Sequence, residues 1–101
     1  MKKIINGRMY NTETAKMVGE WNNGRYGDFG YCSESLYQKK TGEFFLYGEG
    51  GPMSKYVVSC GSNSWGGGEM ITPLNEKEAK QWSEHHITAD EYENIFGEVD
   101  E

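Results

Sequence analysis

The apolar positions of this chain follow two regimes. Up to Leu74 they alternate with polar residues in short runs broken by glycines, and from Asn75 onward they sit in two runs, each opened by a capping residue. The opening KKIINGRMYN sets Asn6-Gly7 between two apolar-bearing runs, which predicts a tight β-hairpin whose turn needs positive φ. From Thr14 to Trp21, Ala15, Met17, Gly19 and Trp21 alternate with Lys16, Val18 and Glu20; this favours a strand, although Thr12 with Glu13 could open a short helix. Asn22-Asn23-Gly24 supplies a turn, and the stretch around Gly27 and Gly30 reads as loop. A second hairpin places Leu36-Tyr37 and Phe44-Phe45-Leu46-Tyr47 on either side of a Lys40-Thr41-Gly42 turn. The glycine-rich segment after it reads as two loops around a short apolar element at Tyr56, Val57 and Val58, with Ser54 placed to cap a helical turn. A further strand spans Glu69 to Pro73.

The C-terminal part carries two sets of helix-start signals. Asn75 is a natural N-cap with Glu78 as its capping-box partner and Leu74 able to staple against Ala79, which predicts a helix from Glu76 to about His86. Thr88 repeats the device with Glu91 and with Ile87 against Tyr92, after which Ile95 and Phe96 face inward and Gly97 ends the helix. Strands followed by helices, without strand–helix alternation, predict an α+β fold: a mainly antiparallel sheet of about four to six short strands with two C-terminal helices packed on one side. One domain covers 1–101, mainly β with glycine-rich loops over 1–74, helical over 75–97 and ending in an acidic tail at 98–101.

Composition changes this picture in two ways. Leu, Ile and Val are few, but three Trp, seven Tyr and four Phe can each bury about 150 to 250 Å², so an aromatic core is expected. The net charge of −6 is also unevenly placed: residues 75 to 101 hold nine acids against Lys77 and Lys80, and the rest of the chain is close to balanced. An anionic block of this kind disfavours binding to a phosphate backbone and favours a basic partner. Its simpler role is a solvated helical face that aids solubility.

Candidate chemistry is thin. Cys32, Cys60, His85 and His86 offer zinc-ligand types, but the cysteines stand 28 residues apart and adjacent histidines on a helix diverge by about 100°, so a metal site is not expected. Two small buried thiols in a reducing cytosol, and two partly exposed histidines at the favourable end of a helix dipole, account for them. No Gly-x-Ser-x-Gly elbow is present, and GEGG and WGGG lack the Lys-Ser/Thr ending of a phosphate loop. Paired carboxylates could serve a metal-dependent nuclease, yet these acids lie on capped helices. Aromatics on a sheet could stack on unpaired bases, but Lys2, Lys3, Arg8, Lys16, Arg25, Lys39 and Lys40 are scattered among acids. The apolar run at the N-terminus stops after Ile4-Ile5, too short for a signal-peptide core or a membrane span.

The phrases KIINGRMYNTETAKMVGEW, FFLYGEGGPMSKY, SCGSNSWGGGEMITPL, EKEAKQWSEHH and ADEYENIFGE, which cover nearly the whole chain, resemble small accessory proteins of phages, plasmids and conjugative elements of low-GC Gram-positive bacteria. Within that group the chain resembles the small anti-CRISPR proteins that inhibit the RNA-guided nuclease of type II systems. These share no common motif, so the likeness carries over no individual residue. It implies a protein of the bacterial host cytoplasm that binds the effector nuclease without modifying it and needs no cofactor, blocking guide-RNA loading or DNA engagement. The alternative is a small RNA-binding protein or nuclease acting on the guide RNA itself. The charge pattern and the resemblance together make Glu76, Glu84, Asp90, Glu91, Glu93 and Glu98 the expected partner contacts, with Trp65 and Met53 adding adaptable apolar surface.

Overall fold

A computed structural model describes residues 1–25, 28–56 and 66–101 in full, and residues 58, 59 and 65 through their backbone. The fold is α+β: an antiparallel hairpin, a four-stranded antiparallel sheet and two C-terminal helices. The hairpin consists of β1 (Lys2–Ile5) and β2 (Arg8–Asn11), paired from Lys2↔Asn11 to Ile5↔Arg8. Its turn is the one Asn6-Gly7 predicts, with φ of 52° at Asn6 and 77° at Gly7, a backbone that Asn and Gly tolerate and most residues resist.

The central sheet runs in the order β3 (Lys16–Asn23), β4 (Cys32–Gln38), β5 (Phe44–Gly50) and β8 (Gly68–Leu74). Between β5 and β8 lies a short ladder of β6 (Val58–Ser59) and β7 (Trp65–Gly66). Strand β4 begins at Cys32, ahead of the expected Leu36, and β3 continues through Asn22 and Asn23, which the sequence assigns to a turn. The alternative helix at Thr12 is not formed. Residues 12–15 turn instead, with the Ala15 amide donating to the Asn11 carbonyl at 3.0 Å. Nor does Ser54 cap a helical turn. Its hydroxyl donates to the Gly51 carbonyl at 2.7 Å and accepts from the Tyr56 amide at 3.2 Å, closing a tight turn. The apolar run expected at Tyr56 to Val58 includes Val57, and the relation of Cys32 to Cys60 involves Cys60; both positions lie outside the described residues.

Alternation across the sheet makes two faces. One presents Tyr37, Phe45 and Ile71, and the hairpin covers it: Tyr10 is 6% exposed and meets the Phe45 ring edge-on at 5.5 Å between centroids. The other presents Leu36, Phe44 and Leu46, and the helices cover it with Ala79, Trp82, Ile87, Ile95 and Phe96. A bulge at Val18, between the pairs Met17↔Tyr37 and Gly19↔Leu36, turns both Val18 and Gly19 toward the helices. The Gly19 position is narrow, because a β-carbon there would stand 3.3 Å from both Ile87 Cγ2 and Trp82 Cζ3.

Helices α1 (Glu76–His86) and α2 (Ala89–Phe96) start as the sequence predicts. Asn75 and Glu78 exchange side-chain-to-backbone bonds of 2.7 and 3.0 Å, and Thr88 and Glu91 do the same at 3.2 and 3.0 Å. Each box satisfies amides that an uncapped first turn would leave open. Gly97, at φ 91°, ends α2 with its amide on the Glu93 carbonyl at 2.8 Å. No helix among the described residues is long and apolar enough to cross a membrane.

Candidate functional site

Among the described residues, polar chemistry gathers at a buried carboxylate beneath α1, at a pair of carboxylates on the opposite sheet face and on the exposed acidic surface of the helices, and also in an ion-pair cluster of Glu43 with Arg8 and Lys39.

The buried carboxylate is Glu34, 1% exposed at the middle of β4. Strand geometry puts it on the helix side of the sheet, between its register partners Trp21 on β3 and Gly48 on β5. The Tyr56 hydroxyl donates to its Oε2, Lys55 Nζ approaches the same oxygen at 2.6 Å, and Trp82 Nε1 donates to Oε1 at 3.2 Å. His86 Nε2 stands 3.9 Å from Oε1. Burial pushes the Glu34 carboxyl up, but the bonds from Lys55, Tyr56 and Trp82 together with the Lys55 charge outweigh it and hold the group below the ordinary carboxylate value. Burial and the adjacent carboxylate push the Tyr56 hydroxyl far up, so it stays a donor. Such an anion is tolerated because its lone pairs are met from several sides.

His86 completes this cluster. Its ring lies 4.4 Å from Trp21 and 5.1 Å from Trp82 between centroids, and its buried Nδ1 has no hydrogen-bond partner among the described residues. Burial pulls the imidazole below its ordinary value, with Lys55 and His85 adding to that and Glu34 opposing it. The favourable end of the helix dipole is therefore not what governs His86. Cys32, also on the helix side of β4, is 7% exposed, and burial with the Glu34 charge raises its thiol. The residues are those of an acid–base centre. Their arrangement is that of a sealed polar clasp: Glu34 ties the 51–56 turn and α1 to the sheet.

On the opposite face, Glu49 and Glu69 are direct register partners on β5 and β8. Like charges so placed repel, and the Tyr47 hydroxyl lies between them, 2.6 Å from Glu69 Oε2 and 3.2 Å from Glu49 Oε2. Tyr31 donates to Glu49 at 3.3 Å. Burial and the two carboxylates raise the Tyr47 phenol. Sequence reading missed this pair and the Glu34 clasp alike. The signal for Glu34 was the alternation Cys32, Glu34, Leu36, which becomes legible once β4 is extended back to Cys32.

The acidic surface is where the predicted contacts sit. Glu76, Glu84, Asp90, Glu91, Glu93 and Glu98 are all exposed, as are Asp100 and Glu101. The Glu91 carboxylate accepts from the Thr88 amide and hydroxyl, as the Glu78 carboxylate accepts from the Asn75 amide, so these two carboxylates are partly engaged. Glu76 pairs with Lys80 at 3.5 Å and lines a shallow depression with Lys77, Lys80, Gln81 and Glu84, where cations offset it. Glu84, at the edge of that depression, also borders with Glu93 a groove of about 640 Å³ between α1, α2 and the C-terminal residues. Met53 is 77% exposed but stands elsewhere: its turn leaves β5 at the Gly50 end, whereas α2 packs on Phe44 at the other end through Phe96, 5.4 Å between centroids. Its amide bonds the carbonyl of Phe29, itself 68% exposed. The Trp65 side chain lies outside the described residues, although its backbone pairs with Ser59. Among the described residues no group of three or more His, Cys, Asp or Glu is close enough to hold a metal ion.

No family model, curated protein or solved structure matches the chain.

Proposed function

We propose that the chain is a non-catalytic inhibitor that docks its acidic C-terminal helices onto a cationic protein surface. In line with the resemblance, that surface is taken to be the nucleic-acid channel of a type II CRISPR effector nuclease, where docking blocks guide-RNA loading or DNA engagement. One observation carries the reading. The nine carboxylates of residues 76–101 all lie on exposed residues, and the ion pair they form among the described residues is Glu76–Lys80. The two capped helices hold six of these acids on a defined frame that residues 97–101 extend, so the charge presents an ordered surface. A channel that holds a guide heteroduplex is positively charged and reads backbone shape, which suits an anionic competitor. The polar cluster around Glu34 supports the same view, since its donors close on the carboxylate and leave it 1% exposed, without room for a substrate.

The test is size-exclusion chromatography of the chain with purified effector, with and without pre-bound guide RNA, across a salt series. Co-elution at low salt that weakens as salt rises is expected. Absence of a complex at low salt would remove the proposal. Shortened RNA on a denaturing gel, after incubation of the chain with guide RNA and magnesium, would replace it with a nuclease.

A further inference from the structure

The groove between α1, α2 and the C-terminal residues joins an apolar floor to carboxylates that form no ion pair among the described residues, whereas the apolar depression beside Phe44, Leu74 and Phe96 carries Glu43 and Glu76, both ion-paired. Ile87 and Tyr92 are half-buried in the groove, and Val99, at its lip, is 59% exposed. Glu84, Glu93, Asp100 and Glu101 line it with carboxylates, and none of the four makes an ion pair among the described residues. They come from three separate stretches of chain: α1, α2 and the terminal residues. At about 640 Å³ the groove falls within the range of roughly 300 to 1,000 Å³ in which a protein site takes up a compact ligand.

From this we infer that the groove is a docking site for a segment of a partner protein carrying an arginine or lysine flanked by apolar side chains. The inference rests on the proposed acidic docking and adds where the contact centres and what fills it. Charge complementarity selects the occupant. Four carboxylates that form no ion pair among the described residues repel a phosphate backbone, and a guanidinium can take two carboxylate oxygens at once. The floor selects the flanking residues, because an exposed Val99 and a half-buried Tyr92 gain from an apolar neighbour and give nothing to a purely polar chain. Glu76, paired with Lys80 on another part of α1, lies outside the groove.

Amide chemical-shift mapping of the full chain tests this with short synthetic peptides of alternating arginine and leucine, arginine and serine, and glutamate and leucine, and with a short single-stranded RNA. The arginine–leucine peptide should shift residues 83–93 and 99–101, bind about tenfold more tightly than the arginine–serine peptide, and lose about tenfold or more on E84K/E93K. E20K, which changes an exposed acid on β3, should leave its affinity within about twofold; preserved amide dispersion in each variant shows that the fold is intact. Equal binding of the serine or glutamate peptide, or RNA shifting the groove, would overturn the assignment. Shifts centred on Glu76 and Asp90 would overturn the groove while leaving acidic docking in place. No binding of either arginine peptide at low salt would remove both.

Discussion

The ring of Tyr56 occupies the space in which a side chain on Gly48 would stand, so the strand residue opposite Glu34 must lack a β-carbon for the phenol to reach the carboxylate. An alanine at 48 would overlap Tyr56 Cζ and Oη, and a buried ring has little room to give. Gly48→Ala is therefore expected to destabilise the fold by about 3 kcal/mol, combining overpacking with a lost hydrogen bond to a buried anion. Gly42→Ala is the control. Its φ of 94° is unfavourable for alanine, but nothing lies within 4 Å, so a cost near 1 kcal/mol is expected. Urea denaturation of the two variants side by side measures the difference; equal midpoints would show that Tyr56 is not held against Gly48.

Replacing Glu34 separates its charge from its shape. Glu34→Gln keeps a carbonyl oxygen for one donor but loses the Lys55 pair, and should cost about 1 to 3 kcal/mol. Glu34→Leu leaves the Tyr56 hydroxyl and the Trp82 indole N–H buried without their acceptor, and should cost more. Because Lys55 is 62% exposed, its ammonium returns to water in either Glu34 variant and adds little to their cost, whereas Lys55→Met leaves the buried carboxylate without its cation and should cost at least as much as Glu34→Gln. Chemical denaturation compares the three, and a Lys55→Met variant as stable as the parent would contradict the role of Lys55 as the counter-charge.

The helices and the first hairpin were legible because their determinants are local: Asn75 with Glu78, Thr88 with Glu91, and Asn6-Gly7 each act within a few residues. The α+β class and the strand at Gly68–Leu74 followed from the same kind of signal. The Glu34 clasp was not legible, because Tyr56 and Trp82 come from 22 and 48 residues away and a carboxylate at an inward strand position breaks the apolar alternation that marks a strand. The bulge at Val18 hid the phase of β3 in the same way. Which sheet face the hairpin covers depends on Tyr10 meeting Phe45, a tertiary contact without local trace. The acidic surface could be read as charge, but the cation-balanced depression near Lys80 and the groove beside Val99, which meet at Glu84, required the fold.

Cys32 should be slow to modify. At 7% exposure and with its thiol raised by burial and by Glu34, it offers little thiolate at neutral pH. In a Cys60→Ser background, reaction with an aromatic disulfide reagent should run far below the rate of a free thiol and approach it only in denaturant. Fast native-state labelling would mean that the sheet opens at β4.

Acid sensitivity should begin at His86. Its folded-state pKa lies below the ordinary 6.5, so just below that pH the unfolded chain binds the proton that the folded chain resists. The His86 contribution is therefore complete above about pH 6.5 and is lost as pH falls through the folded value. Glu34, held below its ordinary 4.5, adds a second loss of the same sign at lower pH. The groups facing His86 explain the direction. Trp21 on β3 and Trp82 on α1 enclose the ring, Lys55 and His85 disfavour a second positive charge, and Glu34 opposes them from 3.9 Å. Protonation would also place a donor at Nδ1, where no acceptor lies among the described residues. Stability measured by urea titration from pH 8 down to about 3 should thus fall in two stages. In His86→Gln, whose amide does not titrate, the first stage should vanish and the second remain. A His86→Gln profile parallel to that of the parent would assign the early acid loss to another group.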